Sequence, residues 1–335
     1  PLNRAPVLQS TVAGVAGNVI SVNANLSLGQ YLYNSVSQTN TYYISVKNTV
    51  SPTSPVRGKW FQVTGNAAGV NGVSAVTVDP DGVTSVQDQG LVSGDTVEVI
   101  PFWTLNTLFP NGQGTTITSD IDSPQDTLFT LPQNVPGTNL QAAQGFLYSN
   151  DTNNLPAAGW YDASSFTSAS AQGVSWADYP LVPDSFLKFR NRGGAQTLTI
   201  VGSVPMSDKT TIVARLANNE KQDNFAVNPY PVPLSLPGTN LFESGAFEVT
   251  TDIDSPKDLL LVYLGTETGL NAQPSKAYVY ANDVDDLPSA GWYDANSFSG
   301  PFGSTEKLIP AGASVIIRKT NGAVASLPWT LIKPY

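Results

Sequence analysis

The sequence predicts an all-β protein: a small N-terminal β-barrel or sandwich followed by two duplicated β-sandwich domains. Three observations carry that expectation. Helical periodicity is almost absent along the 335 residues. The apolar runs are short and rich in Val, Ile, Thr, Tyr and Phe, and Gly, Pro, Asn or Asp breaks them at roughly the 8–12-residue spacing of sandwiches and barrels. Two long motifs also return at one fixed offset, which marks duplicated domains rather than a short-period solenoid.

In the first domain, residues 1–105, strands are expected near 7–13, 18–23, 29–33, 41–47, 58–64, 74–79 and 95–102. Asn18-Val-Ile-Ser-Val-Asn23 and Thr41-Tyr-Tyr-Ile-Ser-Val-Lys47 alternate as a half-buried pleat does. Asp81-Gly82 and Gly94-Asp95 supply turn chemistry between strands. The opening segment forms an arm, Pro-broken at first and strand-like at its end, with Val7, Leu8 and Val12 as its apolar positions.

The duplication fills the rest of the chain. Thr118-Ser-Asp-Ile-Asp-Ser-Pro-Gln-Asp126 returns as Thr250-Thr-Asp-Ile-Asp-Ser-Pro-Lys-Asp258, and Leu155-Pro-Ala-Ala-Gly-Trp-Tyr-Asp162 as Leu287-Pro-Ser-Ala-Gly-Trp-Tyr-Asp294, both 132 residues on. A looser echo links Phe186-Leu-Lys-Phe-Arg190 to the strand ending at Arg318. The expected units are 106–237 and 238–335, the first carrying an extra strand and loop over 210–237. Each unit exits through a Pro-containing segment: Pro101-Phe-Trp-Thr-Leu105, Tyr230-Pro-Val-Pro-Leu234 and Pro328-Trp-Thr-Leu-Ile332. Proline cannot donate to a ladder, so these are expected to be edge strands or connectors.

Ile100-Pro-Phe-Trp-Thr-Leu-Asn-Thr-Leu-Phe-Pro110, followed by Asp-Ile-Asp-Ser-Pro and Gly-Trp-Tyr-Asp, resembles a family of secreted, paralogous β-rich proteins of Verrucomicrobia and related bacteria. The resemblance covers most of the chain and implies export to a bacterial envelope or matrix. No activity is established for that family, so it implies no catalytic residue.

Composition excludes whole classes of chemistry. With no His and no Cys, a His-based triad, a Cys nucleophile and a His- or Cys-ligated metal centre are impossible. Sixteen basic against 26 acidic residues, net −10, make a poor partner for nucleic acid. No apolar run approaches the length of a membrane-spanning helix. A first residue that is Pro, and the lack of Cys, fit an extracellular or cell-surface protein freed of a signal peptide.

Two constellations are candidate sites. Asp outnumbers Glu by 20 to 6 and clusters in the repeated loops. Asp120, Asp122 and Asp126, with Asp252, Asp254 and Asp258, offer the hard oxygen ligands calcium takes. The same Asp-Ser-Pro pattern is also ordinary turn chemistry, with each carboxylate accepting backbone N–H groups. Trp160 and Tyr161, with Trp292 and Tyr293, offer faces for extracellular glycans or plugs for the ends of the sandwiches. Glycoside hydrolysis would need paired acids across a cleft, and the six Glu form no echoed pair.

The expectation is therefore a non-enzymatic structural protein that assembles with itself into a filament, sheath or surface layer by strand addition. No cofactor is required. Val7, Leu8 and Val12 would be the exchanged segment, and Trp329, Leu331 and Ile332 would line its acceptor. Removing residues 1–12 would then leave folded monomers. The alternative is a calcium-dependent adhesin or carbohydrate-binding protein working through the Gly-Trp-Tyr-Asp loops.

Overall fold

A computed structural model of the chain describes residues 4–25, 42–52, 54–80, 84–132, 135–166, 176–183, 187–195, 197, 202, 204–206, 208–215, 220–267, 269, 272–320 and 326–335. The protein is nearly all β. The strand expected near 29–33 and the turn at Asp81-Gly82 lie outside the described residues.

Six strands form the first unit: β1 (Leu8–Ala16), β2 (Val19–Val22), β3 (Tyr42–Asn48), β4 (Trp60–Val70), β5 (Val73–Val78) and β6 (Thr96–Pro101). Their order is β1-β2-β5-β4-β3-β6, and β6 pairs back onto β1 to close a barrel. The alternation seen in the sequence fixes what faces inward. Ile20 and Val22, Val76 and Val78, and Val97 and Val99 are buried at every second position, with Val12, Ile44 and Phe61 between them. Burying each such side chain contributes about 1.5–3 kcal/mol, and closure leaves no strand edge open. The buried Asp95 carboxylate accepts Val50 N at 2.8 Å and Val92 N at 3.0 Å, tying two loops together.

The opening arm is part of this barrel. Val7 N bonds to Val99 O at 2.9 Å, Leu8 pairs with Val99, and Val12 pairs with Val22 while pointing into the core. Within one chain it is a wall strand rather than a free end, because closure of the barrel needs it.

The middle unit follows directly. β7 (Trp103–Thr104) pairs with β11 (Pro180–Leu181), and Thr104 caps the one-turn helix α1 (Leu105–Leu108) through a capping box with Thr107. Its sheet runs β10 (Gly159–Asp162), β9 (Gln144–Ser149), β8 (Thr127–Thr130) and β12 (Lys188–Arg190). Leu105, Phe109, Leu128, Phe146 and Trp160 fill its core.

The last unit repeats that sheet and enlarges it. β15 (Leu259–Tyr263), β16 (Lys276–Ala281), β17 (Gly291–Asp294) and β18 (Ser314–Lys319) correspond to β8, β9, β10 and β12. The register is kept: Leu128 faces Phe146 as Leu260 faces Tyr278, and Trp160 faces Tyr148 as Trp292 faces Tyr280. A fifth strand, β14 (Gln222–Val227), lies beyond β18, and β13 (Lys209–Val213) pairs with the C-terminal β19 (Leu327–Leu331) across the inner face.

The hydrogen bonding thus divides the chain before 209, not at 237/238. The extra segment expected in the first copy belongs with the second, since β13 and β14 pair along their length with β19 and β18, and the β14 backbone pairs with the middle unit only through a parallel bridge from Gln222 to Gly137 among the described residues. The units also interlock. Leu131 and Leu140 from the middle unit pack with Phe225, Leu261 and Ile316 on the outer face of the five-stranded sheet. Asn139 N donates to Asp223 at 2.8 Å and its side-chain Oδ1 accepts from Arg318 at 2.8 Å. The barrel touches the last unit at Gly58 (φ +83°), where a Cβ would meet the Thr210 methyl at 2.7 Å.

Candidate functional site

The repeated motifs occupy the same place in both copies, at one end of each sheet. Thr118 Oγ1 accepts Gln125 N at 3.0 Å, and Thr250 Oγ1 accepts Lys257 N at 2.9 Å, so each Thr closes its own loop. Asp120 Oδ1 accepts Asp122 N at 2.9 Å and Asp252 Oδ1 accepts Asp254 N at 3.0 Å, the turn expected of Asp two residues ahead of a bend. Asp122 and Asp254 are exposed.

Asp126 and Asp258 are buried. Asp126 accepts Thr116 N at 2.7 Å, Arg192 N at 2.7 Å and Gly193 N at 3.1 Å. Asp258 accepts Glu248 N at 2.8 Å and Thr320 N at 2.9 Å, and it also takes the Lys319 ammonium, with the Arg215 guanidinium 3.8 Å away. The six carboxylates do not converge. Among the described residues no three metal-ligating side chains gather around a point. Where calcium would need free lone pairs, the oxygens of Asp126 and Asp258 already face N–H donors.

Asp151 and Asp283 clamp the next loop to this one, accepting Ile121 N at 3.1 Å and Ile253 N at 3.0 Å. The Asn154 amide on Asp151 holds that carboxyl below its ordinary range, against its burial, with backbone N–H groups helping. Asp162 and Asp294 end the Gly-Trp-Tyr-Asp strands and accept the next turn's N–H groups at 2.8–3.0 Å. Burial pushes both up, but the Ser164 and Gln144 donors in one copy and the Asn296 and Ser297 donors in the other leave both lowered.

The aromatic residues face inward. Trp160 is 5% exposed and Trp292 1%, against Tyr148 and Phe109 in one copy and Tyr280 and Phe247 in the other. A buried ring offers no face to a sugar, so the glycan alternative loses its stacking platform and packing is what these rings do. Tyr161 and Tyr293 are also buried, and their hydroxyls donate to Ala157 O and Ser289 O.

The assembly residues are not brought together. Val7, Leu8 and Val12 lie in the barrel, whereas Trp329 and Leu331 are buried on β19 against β13, and of the six only Val7 and Ile332 are exposed. Trp329 Nε1 donates to Thr239 O at 2.7 Å. That contact exposes a signal the sequence reading missed: Pro-Gly-Thr-Asn-Leu occurs at 136–140 and again at 237–241. Both copies place Asn at positive φ, at Asn139 and Asn240, and each buckles one segment onto the last unit. Its offset differs from that of the main repeat, which hid it.

Against known proteins the chain stands apart: no family model, no curated protein and no solved structure matches it.

Proposed function

We propose that this chain is a secreted, non-enzymatic structural protein that assembles with itself into an extracellular filament, sheath or surface layer. The observation that supports it is how the duplicated motifs are used. Their Trp rings fill cores and their carboxylates hold turns, so duplication has multiplied a building unit rather than a reacting constellation. Three β units joined in series, with interlocking between the last two, suit a subunit that transmits force. The resemblance to exported bacterial proteins supports a place outside the cell.

The manner of joining needs revision. Exchange of β1 would require each barrel to release that strand from both β2 and β6. Contacts between preformed surfaces ask for no such opening. Negative-stain electron microscopy of the purified protein, beside size-exclusion chromatography, tests the reading. Regular fibres, tubes or sheets are expected, and a monomer that persists at high concentration would overturn it.

A further inference from the structure

The two copies of the sheet have diverged in complementary ways. In the last unit β18 is covered on both edges, and Arg318 on it is gripped by Asp223 of the added strand β14, at 2.8 and 3.0 Å. In the middle unit β12 pairs with β8 alone among the described residues. Arg190 sits opposite Thr127 as Arg318 sits opposite Leu259, but no carboxylate of the described residues meets it, and its guanidinium lies over the Phe129 ring at 4.9 Å. Lys188 beside it is exposed. Phe189, between the two, is 43% exposed where its counterpart Ile317 is 1%. Among the described residues β12 therefore has an unpaired edge, basic at both ends and apolar in the middle, on a chain of net charge −10.

The opposite surface lies on the last unit. Buried Asp283 accepts both Ile253 N at 3.0 Å and Asp285 N at 3.2 Å, clamping two turns side by side. Between them Val284 is 81% exposed, more than any other large apolar residue described, and Asp252, Asp254, Asp285 and Asp286 are exposed around it. The corresponding tip of the middle unit has Thr152, Asn153 and Asn154 instead. The acidic tip with an apolar centre is thus particular to one unit, and the basic edge with an apolar centre to the other.

We propose that these two surfaces meet between copies of the chain, which rests on the self-assembly reading above and names its contact. Val284 of one copy packs on Phe189 of the next, while Asp285 and Asp286 meet Lys188 and Arg190. Asp223 on Arg318 shows, within the same molecule, the carboxylate partner that this edge position accepts. The contact joins two different surfaces, so it propagates head to tail rather than closing a pair.

The test uses the full chain and two exposed-charge reversals, Lys188→Glu with Arg190→Glu and Asp285→Lys with Asp286→Lys. Each is expected to raise the concentration needed for assembly, read by light scattering and microscopy, by about tenfold or more, since like charges now face each other. Combining all four substitutions restores opposite charges and is expected to restore assembly. Circular dichroism melts verify that each variant folds. Wild-type assembly undisturbed by either pair, or a combined variant that stays dispersed, would overturn this contact while leaving self-assembly in place. A wild-type chain that never assembles would remove both.

Discussion

Asp126 and Asp258 hold the same place in the two copies of one turn, yet they hold different things. Asp126 serves three backbone N–H groups. Asp258 serves two, and it also neutralises Lys319 beside the buried Arg215, whose second carboxylate partner is Glu248 at 3.4 Å. An Asn at 126 would turn an amide N–H₂ toward a backbone donor, at a cost of about 1–3 kcal/mol. At 258 the same change also strips a buried cation of its partner, a loss of about 3–5 kcal/mol. Urea unfolding should therefore show Asp258→Asn to be the more destabilising of the two, and equal losses would mean that Lys319 draws nothing from Asp258. The local turn was legible in the sequence through Asp120 and Asp252, which accept the N–H groups of Asp122 and Asp254 two residues on, but the distant N–H donors of Asp126 and Asp258 were not. Nor were the cations, because Lys319 on β18 and Arg215, just past the end of β13, are distant in sequence and carry no local mark.

At the scale of elements, periodicity located strands but could not say what they pair with. Alternation in 18–23 and 41–47 gave β2 and β3 to within a residue or two. It could not show that β1 shuts the barrel, nor that β14 reaches forward to β18, since alternation fixes a strand's faces and leaves its neighbours open. The consequence for truncation is direct. Removing residues 1–12 deletes the four pairs from Leu8↔Val99 to Thr11↔Thr96 and takes Val12 from the core. The shortened chain is expected to lose the barrel, seen as aggregation or as a missing transition in thermal melts followed by circular dichroism. A soluble chain with the parent's melting profile would show that closure by β1 is dispensable.

The whole molecule has an unusual titration behaviour written into its composition. With neither His nor Cys, no side chain titrates between the carboxylates and the tyrosines and lysines. On the acid side, burial raises Asp162, Asp294 and Glu267, but side-chain and backbone donors outweigh it and leave all three lowered, as the Asn154 amide leaves Asp151. A carboxyl lowered by folding stabilises the protein above its unfolded value, about 4, and that support is lost as pH falls through the folded value. On the alkaline side, burial raises Tyr179, Tyr230, Tyr263, Tyr278 and Tyr280. Their support is present below the unfolded value, about 10, and is lost as pH climbs through the folded ones. Tyr230 makes the reason concrete: it is fully buried and donates its proton to Leu331 O at 3.0 Å, a bond an ionised oxygen cannot make. All of these groups lie in the two duplicated units, which share the cluster around Leu131, Phe225 and Ile316, so loss in one is transmitted to the other. The urea midpoint should accordingly stay level from about pH 5 to pH 9 and fall on both sides. A step between pH 6 and 8 would contradict this, because no side chain of the chain changes charge there.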